Sequence, residues 1–418
     1  MPSRAASLAL VGAGACGAHT ALSAAFVAAP TAPAPLRGCA AAPTQERRAC
    51  QRRGLRQGAA ERHAASAGRS GAWVLGLSAG VVAAARAAKR QRRETKARSV
   101  AVAAAALEGV SCKTAFLFPG QGAQSVGMCK ELVEECPAAK ELFDKASDIL
   151  GYDLLDRCVN GPKELLDTTA VSQPAIFVAS MAAVEKLKQD QGADAVDEAT
   201  VAMGLSLGEY SALCFAGAMD FEDGVKITKA RGEAMQAAAD AVESSMVSVI
   251  GLDSEKTAEL CKKASEDSGK TVQIANFLCK GNYTVSGDKE ACAKLAEIAK
   301  PEFKARMAVP LAVAGAFHTD FMAPAVDKLK EALAAADFKS PRIPVVSNVD
   351  AKVHSDPEEI KEILAKQVTA PVLWEQQMQG MVASGFEKGF ELGPGKVIAG
   401  ILKRIDKAAA GAVTNITV

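Results

Sequence analysis

A short apolar run at residues 199–203 leads directly into the sequence Gly-Leu-Ser-Leu-Gly at residues 204–208. Residues 209–215 then have the composition of a helix. A strand, a turn with a glycine on each side and a helix predict a sharp connection that lifts Ser206 above a sheet. A plain glycine-rich turn is the alternative, because short matches to this pattern arise by chance. If the connection forms, the chain is an α/β protein and Ser206 is exposed as a nucleophile.

Charge is distributed very unevenly along the 418 residues. Residues 1–110 hold 16 of the 49 Lys and Arg but only 4 of the 48 Asp and Glu, a net charge of +12 that leaves −11 for residues 111–418. The basic segment is rich in Ala, Ser and Arg and poor in aromatic residues, so it cannot bury enough apolar surface to fold. We predict that residues 1–110 are a targeting presequence and largely disordered.

The order of segments within this leader indicates its destination. An apolar stretch at residues 8–27 follows Arg4, and an Arg-rich stretch and a second apolar run at residues 72–85 come after it. This order is typical of presequences that combine a signal peptide with a transit peptide, as in plastids bounded by extra membranes. The second run is short for a bilayer span. We therefore expect the plastid stroma as the location, with membrane contact only through the presequence, if at all.

An ordinary secreted protein is the competing interpretation of this leader. Of the 11 cysteines, three lie in the leader and the other eight lack the spacing of metal ligands or of paired disulfides. A domain of about 300 residues is also large enough to fold without disulfides. We therefore expect neither a metal site nor a disulfide framework.

The part from residue 111 to residue 418 is predicted to be one α/β domain. Helical patterns alternate there with apolar runs, at residues 114–118, 201–203, 343–346 and 390–392. This alternation favours a mostly parallel sheet with helices on both faces. Residues 245–312 change to the order β-α-β-β-α-β, with the last strand predicted at residues 303–311, which indicates an inserted ferredoxin-like small domain.

A serine hydroxyl needs a neighbouring base, most often histidine, to act as a nucleophile. Only two of the four histidines, His318 and His354, lie in the predicted domain. His354 is in a polar turn and is interpreted as a surface residue. His318 lies among small residues just after the inserted domain, so we predict that it is the base, with a purely structural histidine as the alternative. Asp320 is too near in sequence to identify it as the partner of the imidazole, and a backbone or amide oxygen can serve instead.

An acyl intermediate also requires N–H donors for its oxyanion. The Leu207 N–H, directly after the nucleophile, is one candidate, and the glycine-flanked turn at Gln121 offers a second. A tight strand-to-helix connection or a phosphate-binding loop is the alternative for that turn.

A helix predicted at residues 220–240 places Arg231 on one stripe with Ile227 and Met235. Arginine among buried neighbours usually pairs with a carboxylate, which its planar guanidinium binds in bidentate fashion. That carboxylate could belong to a substrate. Pairing with Glu233, or a guanidinium that reaches solvent, is the alternative.

In combination, these motifs resemble the malonyl-CoA:acyl carrier protein transacylase family of type II fatty acid synthesis, over nearly all of residues 113–406. The matching motifs are Phe-Pro-Gly-Gln-Gly at 118–122, Gly-Leu-Ser-Leu-Gly-Glu-Tyr at 204–210, Arg-Gly at 231–232, Gly-Ala-Phe-His at 315–318 and Glu-Leu-Gly-Pro-Gly-Lys at 391–396. The resemblance implies a hydrolase-like core and transfer of malonyl from malonyl-CoA to the phosphopantetheine thiol of acyl carrier protein through a malonyl-serine. It implies no cofactor beyond the coenzyme A thioester, no metal and no nucleic acid.

The resemblance also assigns roles to residues. It makes Ser206 the nucleophile, His318 the base, Gln121 and Leu207 the oxyanion donors, Arg231 the clamp for the malonyl carboxylate, Gln367 the residue whose backbone carbonyl orients the histidine, and Asn276 a pocket asparagine. Many members have histidine where this chain has Leu205, so this chain lacks a polar neighbour of the serine. We expect this difference to alter the activity and not to abolish it. Two other functions are left open: a serine hydrolase or thioesterase of α/β-hydrolase type, and a non-catalytic acyl-CoA-binding protein.

Overall fold

The computed structural model describes residues 107–418, so the predicted presequence lies almost entirely outside the described residues. The strands in this range are β1 (Thr114–Phe118), β2 (Val201–Gly204), β3 (Ser244–Ile250), β4 (Val272–Cys279), β5 (Asn282–Asp288), β6 (Met307–Pro310), β7 (Val345–Val346), β8 (Lys388–Leu392) and β9 (Val413–Ile416). The helices are α1 (Lys130–Glu135), α2 (Pro137–Leu150), α3 (Leu154–Asn160), α4 (Lys163–Leu166), α5 (Thr169–Gln191), α6 (Gly208–Phe215), α7 (Phe221–Ala241), α8 (Ser254–Ser268), α9 (Lys289–Ala299), α10 (Ala323–Ala335), α11 (Pro357–Gln367), α12 (Trp374–Ala383), α13 (Val397–Ile405) and α14 (Lys407–Gly411).

The core sheet is parallel throughout, in the order β7-β2-β1-β8-β9. Phe116 and Phe118 of β1 pack into the hydrophobic cluster on one face, and Ala115 and Leu117 pack into the cluster on the other. Because successive side chains of a strand point to opposite faces, a strand covered on both sides is apolar at every position. The predicted α/β fold with a mostly parallel core sheet is confirmed.

A second sheet is antiparallel, in the order β4-β5-β3-β6. Helices α8 and α9 pack on each other and on this sheet around a separate cluster that includes Val247, Leu260 and Leu295. The element order from β3 to β6 is β-α-β-β-α-β, so the predicted ferredoxin-like insertion is confirmed. Its strands run from Ser244 to Pro310, close to the predicted bounds of 245–312.

Two strands are shorter than predicted. The segment 303–311 forms a strand only at β6, because Lys304 has a φ of 61° and the chain turns there to close the end of α9. The segment 343–346 is reduced to β7, because Pro344 has no N–H to donate to a neighbouring strand.

The chain crosses between the core and the inserted domain twice, and the two crossings lie against each other. The Ala316 N–H donates to the Ser244 Oγ at 3.0 Å. A Cβ on Gly315 would lie 2.5 Å from the Cβ of Ala239 in α7, so the close approach requires glycine. The crossings therefore form one seam, which ends two residues before His318.

Among residues 107–418, no helix combines the length and the apolar character that crossing a membrane would need. The predicted short apolar run at residues 72–85 lies outside the described residues. The eight cysteines from Cys112 to Cys292 are free thiols.

Candidate active site

Ser206 lies in the tight turn between β2 and α6, with a φ of 52°. This left-handed conformation strains a residue other than glycine. A Cβ on Gly204 would lie 1.9 Å from the carbonyl carbon of Gly208, and a Cβ on Gly208 would lie 2.1 Å from the carbonyl oxygen of Phe118. Both flanking positions therefore require glycine, which gives the predicted connection its physical reason.

Asn348 holds this turn from the loop after β7. The Ser206 N–H donates to the Asn348 Oδ1 at 2.6 Å, and the Asn348 Nδ2 donates to the carbonyl of Gly204 at 2.7 Å. Because Asn348 is fully buried, these two bonds fix the backbone on both sides of the strained residue. The sequence analysis missed Asn348. The sequence pattern that could have identified it is a polar side chain directly after a predicted parallel strand. The carboxyl ends of such strands lie at one edge of the sheet, which is also where Ser206 was predicted.

His318 is hydrogen-bonded to the nucleophile. Its Nε2 lies 2.8 Å from the Ser206 Oγ, and its Nδ1 lies 2.9 Å from the backbone carbonyl of Gln367. The carbonyl can only accept, so the proton of the neutral imidazole is on Nδ1 and the Nε2 lone pair faces the serine hydroxyl. This arrangement is the one that a general base requires. A backbone oxygen occupies the place that an acid would otherwise take, while Asp320 is exposed.

The surroundings of His318 keep it uncharged. Burial, and secondly the nearby Arg231 cation, lower the pKa of His318 from 6.5 to about 4. The imidazole is therefore free to accept a proton at neutral pH. The Arg231 NH2 also donates to the Ser206 Oγ at 3.3 Å, and a cation at this distance favours the alkoxide.

Arg231 lies in α7 and is 1% exposed. Its NH1 donates to the Gln173 Oε1 at 2.8 Å and its NH2 to the Gln367 Oε1 at 3.0 Å. The guanidinium also lies over the ring of Tyr210, 5.2 Å from its centroid. Among residues 107–418 it has no carboxylate within 4.0 Å, and its Nε has no hydrogen-bond partner. The alternatives of pairing with Glu233 and of reaching solvent are therefore excluded.

This lack of a carboxylate is unusual, because a buried charge in a protein is normally paired. Neutral amide oxygens of Gln173 and Gln367 accept its hydrogen bonds, and the buried Glu209 carboxylate acts on it only across the Gln367 amide. A buried cation beside a nucleophile is suited to an acyl group that itself carries a carboxylate. Gln173, within α5, was missed because nothing in its local sequence distinguishes it from other buried helix positions.

A buried carboxylate, Glu209, completes the polar network behind the site. Its Oε2 accepts from the Asn348 N–H at 3.0 Å and from the Gln367 Nε2 at 2.6 Å. The Gln367 Nε2 also donates to the Ser206 carbonyl at 3.1 Å. Burial raises the pKa of Glu209 from 4.5 to about 7, against the opposing effect of these hydrogen bonds and of Arg231. Glu209 belonged to a matched motif, but it was not predicted to have a role.

The two predicted oxyanion donors lie on adjoining pieces of backbone. A Cβ on Gly120 would lie 2.2 Å from the Leu205 carbonyl oxygen, so the turn carrying Gln121 packs directly on the serine turn. Within the described residues, neither the Gln121 nor the Leu207 N–H donates a hydrogen bond. Both groups are therefore available to a developing oxyanion.

The structure does not bring Asn276 into the hydrogen-bonded group around Ser206. It lies in β4 of the inserted domain, bridged to Val372, and its Oδ1 is buried without a partner in the described residues. Its predicted pocket role stays a prediction.

His354 corrects one expectation. Its side chain is only 13% exposed and lies 3.0 Å from both the Asp350 Oδ2 and the Glu359 Oε1, so it ties its loop to the start of α11 and is not a simple surface residue. Among residues 107–418, no three His, Cys, Asp or Glu side chains are grouped to hold a metal ion.

Comparison with known proteins places the chain in a family. Residues 115–416 match the acyl transferase domain. The chain is 42% identical over 295 residues to the malonyl CoA-acyl carrier protein transacylase of Bacillus subtilis, covering 71% of this chain and 91% of the relative. It is 43% identical over 304 residues to the mitochondrial malonyl-CoA-acyl carrier protein transacylase of Homo sapiens, covering 70% of this chain and 77% of the relative.

Solved structures agree with the sequence comparison. The malonyl CoA-acyl carrier protein transacylase of Coxiella burnetii superposes with a TM-score of 0.69 at 35% identity, covering 74% of this chain and 95% of that one. A malonyl-transacylase solved in complex with its type II PKS acyl-carrier protein superposes with a TM-score of 0.67 at 36% identity. The match covers 73% of this chain and 96% of that one. The chain therefore belongs to the acyl transferase family, among the malonyl-CoA-acyl carrier protein transacylases.

Proposed function

We propose that this enzyme transfers the malonyl group from malonyl-CoA to the phosphopantetheine thiol of acyl carrier protein, through a malonyl ester on Ser206, and so supplies fatty acid synthesis. The observation that carries the proposal is Arg231, a buried cation with no carboxylate within 4.0 Å in the described residues and 3.3 Å from the Ser206 Oγ. The malonyl carboxylate supplies the direct ionic contact that this cation lacks. It thereby places the thioester carbonyl next to the hydroxyl.

In the first half of the reaction, the His318 Nε2 takes the Ser206 proton as the Oγ attacks the thioester carbonyl. The negative charge that develops on the carbonyl oxygen is met by the N–H groups of Gln121 and Leu207. The carbon–sulfur bond breaks, and the protonated His318 returns its proton to the departing thiolate of coenzyme A. Malonyl-Ser206 and a free thiol are the products.

The second half runs the same steps with the carrier. His318 takes the proton of the phosphopantetheine thiol, and the thiolate attacks the ester carbonyl. The carbon–oxygen bond to Ser206 breaks, and the imidazolium protonates the serine. Because exchange between two thioesters is nearly balanced, the enzyme's task is to lower barriers and keep water from the ester. We expect no metal or redox cofactor and no nucleic acid partner.

A direct test uses the domain without residues 1–110, given malonyl-CoA with and without purified holo carrier. We expect intact-mass spectra to show one malonyl adduct that Ser206→Ala abolishes, and the adduct to move to the carrier when it is added. A serine hydrolase would instead release malonate faster than it loads the carrier. A non-catalytic binding protein would show no adduct and would be unaffected by Ser206→Ala.

We also propose that residues 1–110 deliver the protein to the plastid stroma. The support is the +12 charge of this segment and its order of apolar, Arg-rich and apolar stretches. Fusing residues 1–110 to a fluorescent protein in a plastid-bearing alga tests this. Fluorescence in mitochondria or in the medium would contradict it.

A further inference from the structure

Glu209 lies one turn beyond the nucleophile, at the start of α6, and is 3% exposed. One oxygen of its carboxylate, Oε2, accepts two hydrogen bonds, from the Asn348 N–H at 3.0 Å and from the Gln367 Nε2 at 2.6 Å. Burying a carboxylate is costly, so its presence in this position needs an explanation beyond filling space.

The bond to Gln367 fixes the direction in which that side chain points. An amide has a donor end and an acceptor end. The Glu209 Oε2 accepts from the Asn348 N–H, which can only donate, so this oxygen presents a lone pair to the amide as well. Glu209 therefore holds the Nε2 end toward itself, together with the Ser206 carbonyl at 3.1 Å. The Oε1 end is left facing the Arg231 NH2, from which it accepts at 3.0 Å. With the amide reversed, two donors would face each other, and Arg231 would lose this partner.

The orientation of Gln367 in turn determines where the cation lies. Gln173 holds the NH1 of Arg231 at 2.8 Å and Gln367 holds its NH2, so the plane of the guanidinium is set by these two amides. Its NH2 also donates to the Ser206 Oγ at 3.3 Å, so the guanidinium lies beside the position where an acyl group on Ser206 would be held. A small rotation of this plane would break a bidentate contact, because both hydrogen bonds depend on it.

We propose that Glu209 is a positioning residue for acyl-group selection, which orients the Gln367 amide so that Arg231 presents its guanidinium to the carboxylate of the acyl group. This inference rests on the proposed function, since it concerns how the same site recognises malonyl. Glu209 does not touch the reacting atoms. Its effect passes through Gln367 and Arg231, while the Gln367 backbone carbonyl continues to hold His318.

The test compares Glu209→Ala with Glu209→Gln, which keeps an acceptor oxygen at the same reach. Steady-state transfer to holo carrier is measured with malonyl-CoA and with acetyl-CoA, which has no carboxylate. For Glu209→Ala we expect kcat/KM to fall about 100-fold for malonyl, chiefly through KM, and less than about tenfold for acetyl. We define the donor ratio as kcat/KM for malonyl-CoA divided by kcat/KM for acetyl-CoA. Glu209→Gln should keep this ratio within about threefold of the wild type.

Two further variants separate positioning from general destabilisation. Glu391→Gln is the matched control, because Glu391 is fully buried and accepts from the N–H groups of Ile398 and Ala399 without touching Gln367. Its donor ratio should equal that of the wild type. Gln367→Leu keeps the backbone carbonyl on His318 and removes the side-chain amide, so it should lower the donor ratio as Glu209→Ala does. The double variant Glu209→Ala/Gln367→Leu should lower the donor ratio no further than either single variant. Gln367→Leu also tests the inference if Glu209→Ala does not fold.

An unchanged donor ratio in Glu209→Ala or in Gln367→Leu would overturn the inference, even though the wild-type enzyme still transferred malonyl. An equal fall in the donor ratio of Glu391→Gln would overturn it too, because the fall would then reflect lower protein stability alone. Failure of the wild type to form a malonyl-serine would overturn the proposed function itself.

Discussion

Replacing Arg231 with alanine tests the link between the buried cation and the choice of acyl group. In the wild type, the guanidinium is shielded from water and has amide oxygens, but no carboxylate, as its partners among the described residues. A malonyl carboxylate therefore gains a charge-assisted pair that an acetyl group cannot form. The variant removes that gain and leaves Ser206 and His318 in contact.

The magnitude follows from the burial of the pair. Removing one partner of a buried charge pair costs about 3–5 kcal/mol, because the other charge is left uncompensated. At about 1.4 kcal/mol for each factor of ten, kcat/KM for malonyl-CoA should fall by a factor between about 100 and about 4000. Acetyl-CoA has no carboxylate to lose, so we expect its kcat/KM to change by less than about tenfold.

The assay is transfer of radiolabelled malonyl and acetyl groups to holo carrier, at matched protein stability. Arg342→Ala is the control, because Arg342 is also an arginine beside an aromatic ring, 4.7 Å from the centroid of Phe215, but it is exposed and does not contact Ser206 or His318. If Arg231→Ala kept the wild-type ratio of malonyl transfer to acetyl transfer, our reasoning about the buried cation would be refuted.

Three other measurements follow from the site. The pKa of His318, lowered from 6.5 to about 4, predicts that kcat/KM stays level at neutral pH and falls as the pH drops through about 4, whereas an acid limb near 6.5 would contradict it. The unfolded chain takes up this proton at a higher pH than the folded protein does. His318 should therefore lower the free energy of unfolding as the pH falls from about 6.5 toward 4. His318→Gln should remove that part of the pH dependence of urea unfolding. Asn348→Ala leaves the Ser206 N–H and the Gly204 carbonyl without their partner. We therefore expect a loss of about 3 kcal/mol in the free energy of unfolding and a slower acylation of Ser206. An unchanged acylation rate would show that Asn348 does not hold the turn in its reactive shape.

The parts of the site that could be predicted from the sequence are those whose chemistry leaves a local pattern. The glycines on either side of Ser206 are required by contacts of 1.9 and 2.1 Å that a side chain could not make, so the turn is encoded within five residues. His318 followed by elimination, because only two histidines lie in the predicted domain. The position of Arg231 on an apolar stripe indicated a buried guanidinium but left open one that reaches solvent, and it did not indicate the Gln173 and Gln367 contacts.

The residues that were missed act across long separations in sequence. Asn348 meets Ser206 across 142 positions, and the missed Glu209 meets Gln367 across 158. Such contacts depend on how the carboxyl ends of the parallel strands and the start of α6 come together, and no local periodicity records that. The strand predicted at residues 303–311 failed for a local reason, since the positive φ of Lys304 cannot be read from the composition around it.

The seam between the two domains has a consequence for the catalytic cycle. Ser206 belongs to the core, and the chain reaches His318 only after it has returned from the inserted domain and been fastened by Ser244 and Gly315. Ser206 and His318 are both held by residues of the core, through the Asn348 side chain and the Gln367 carbonyl. Proton transfer between them therefore needs no rearrangement of the inserted domain at any step.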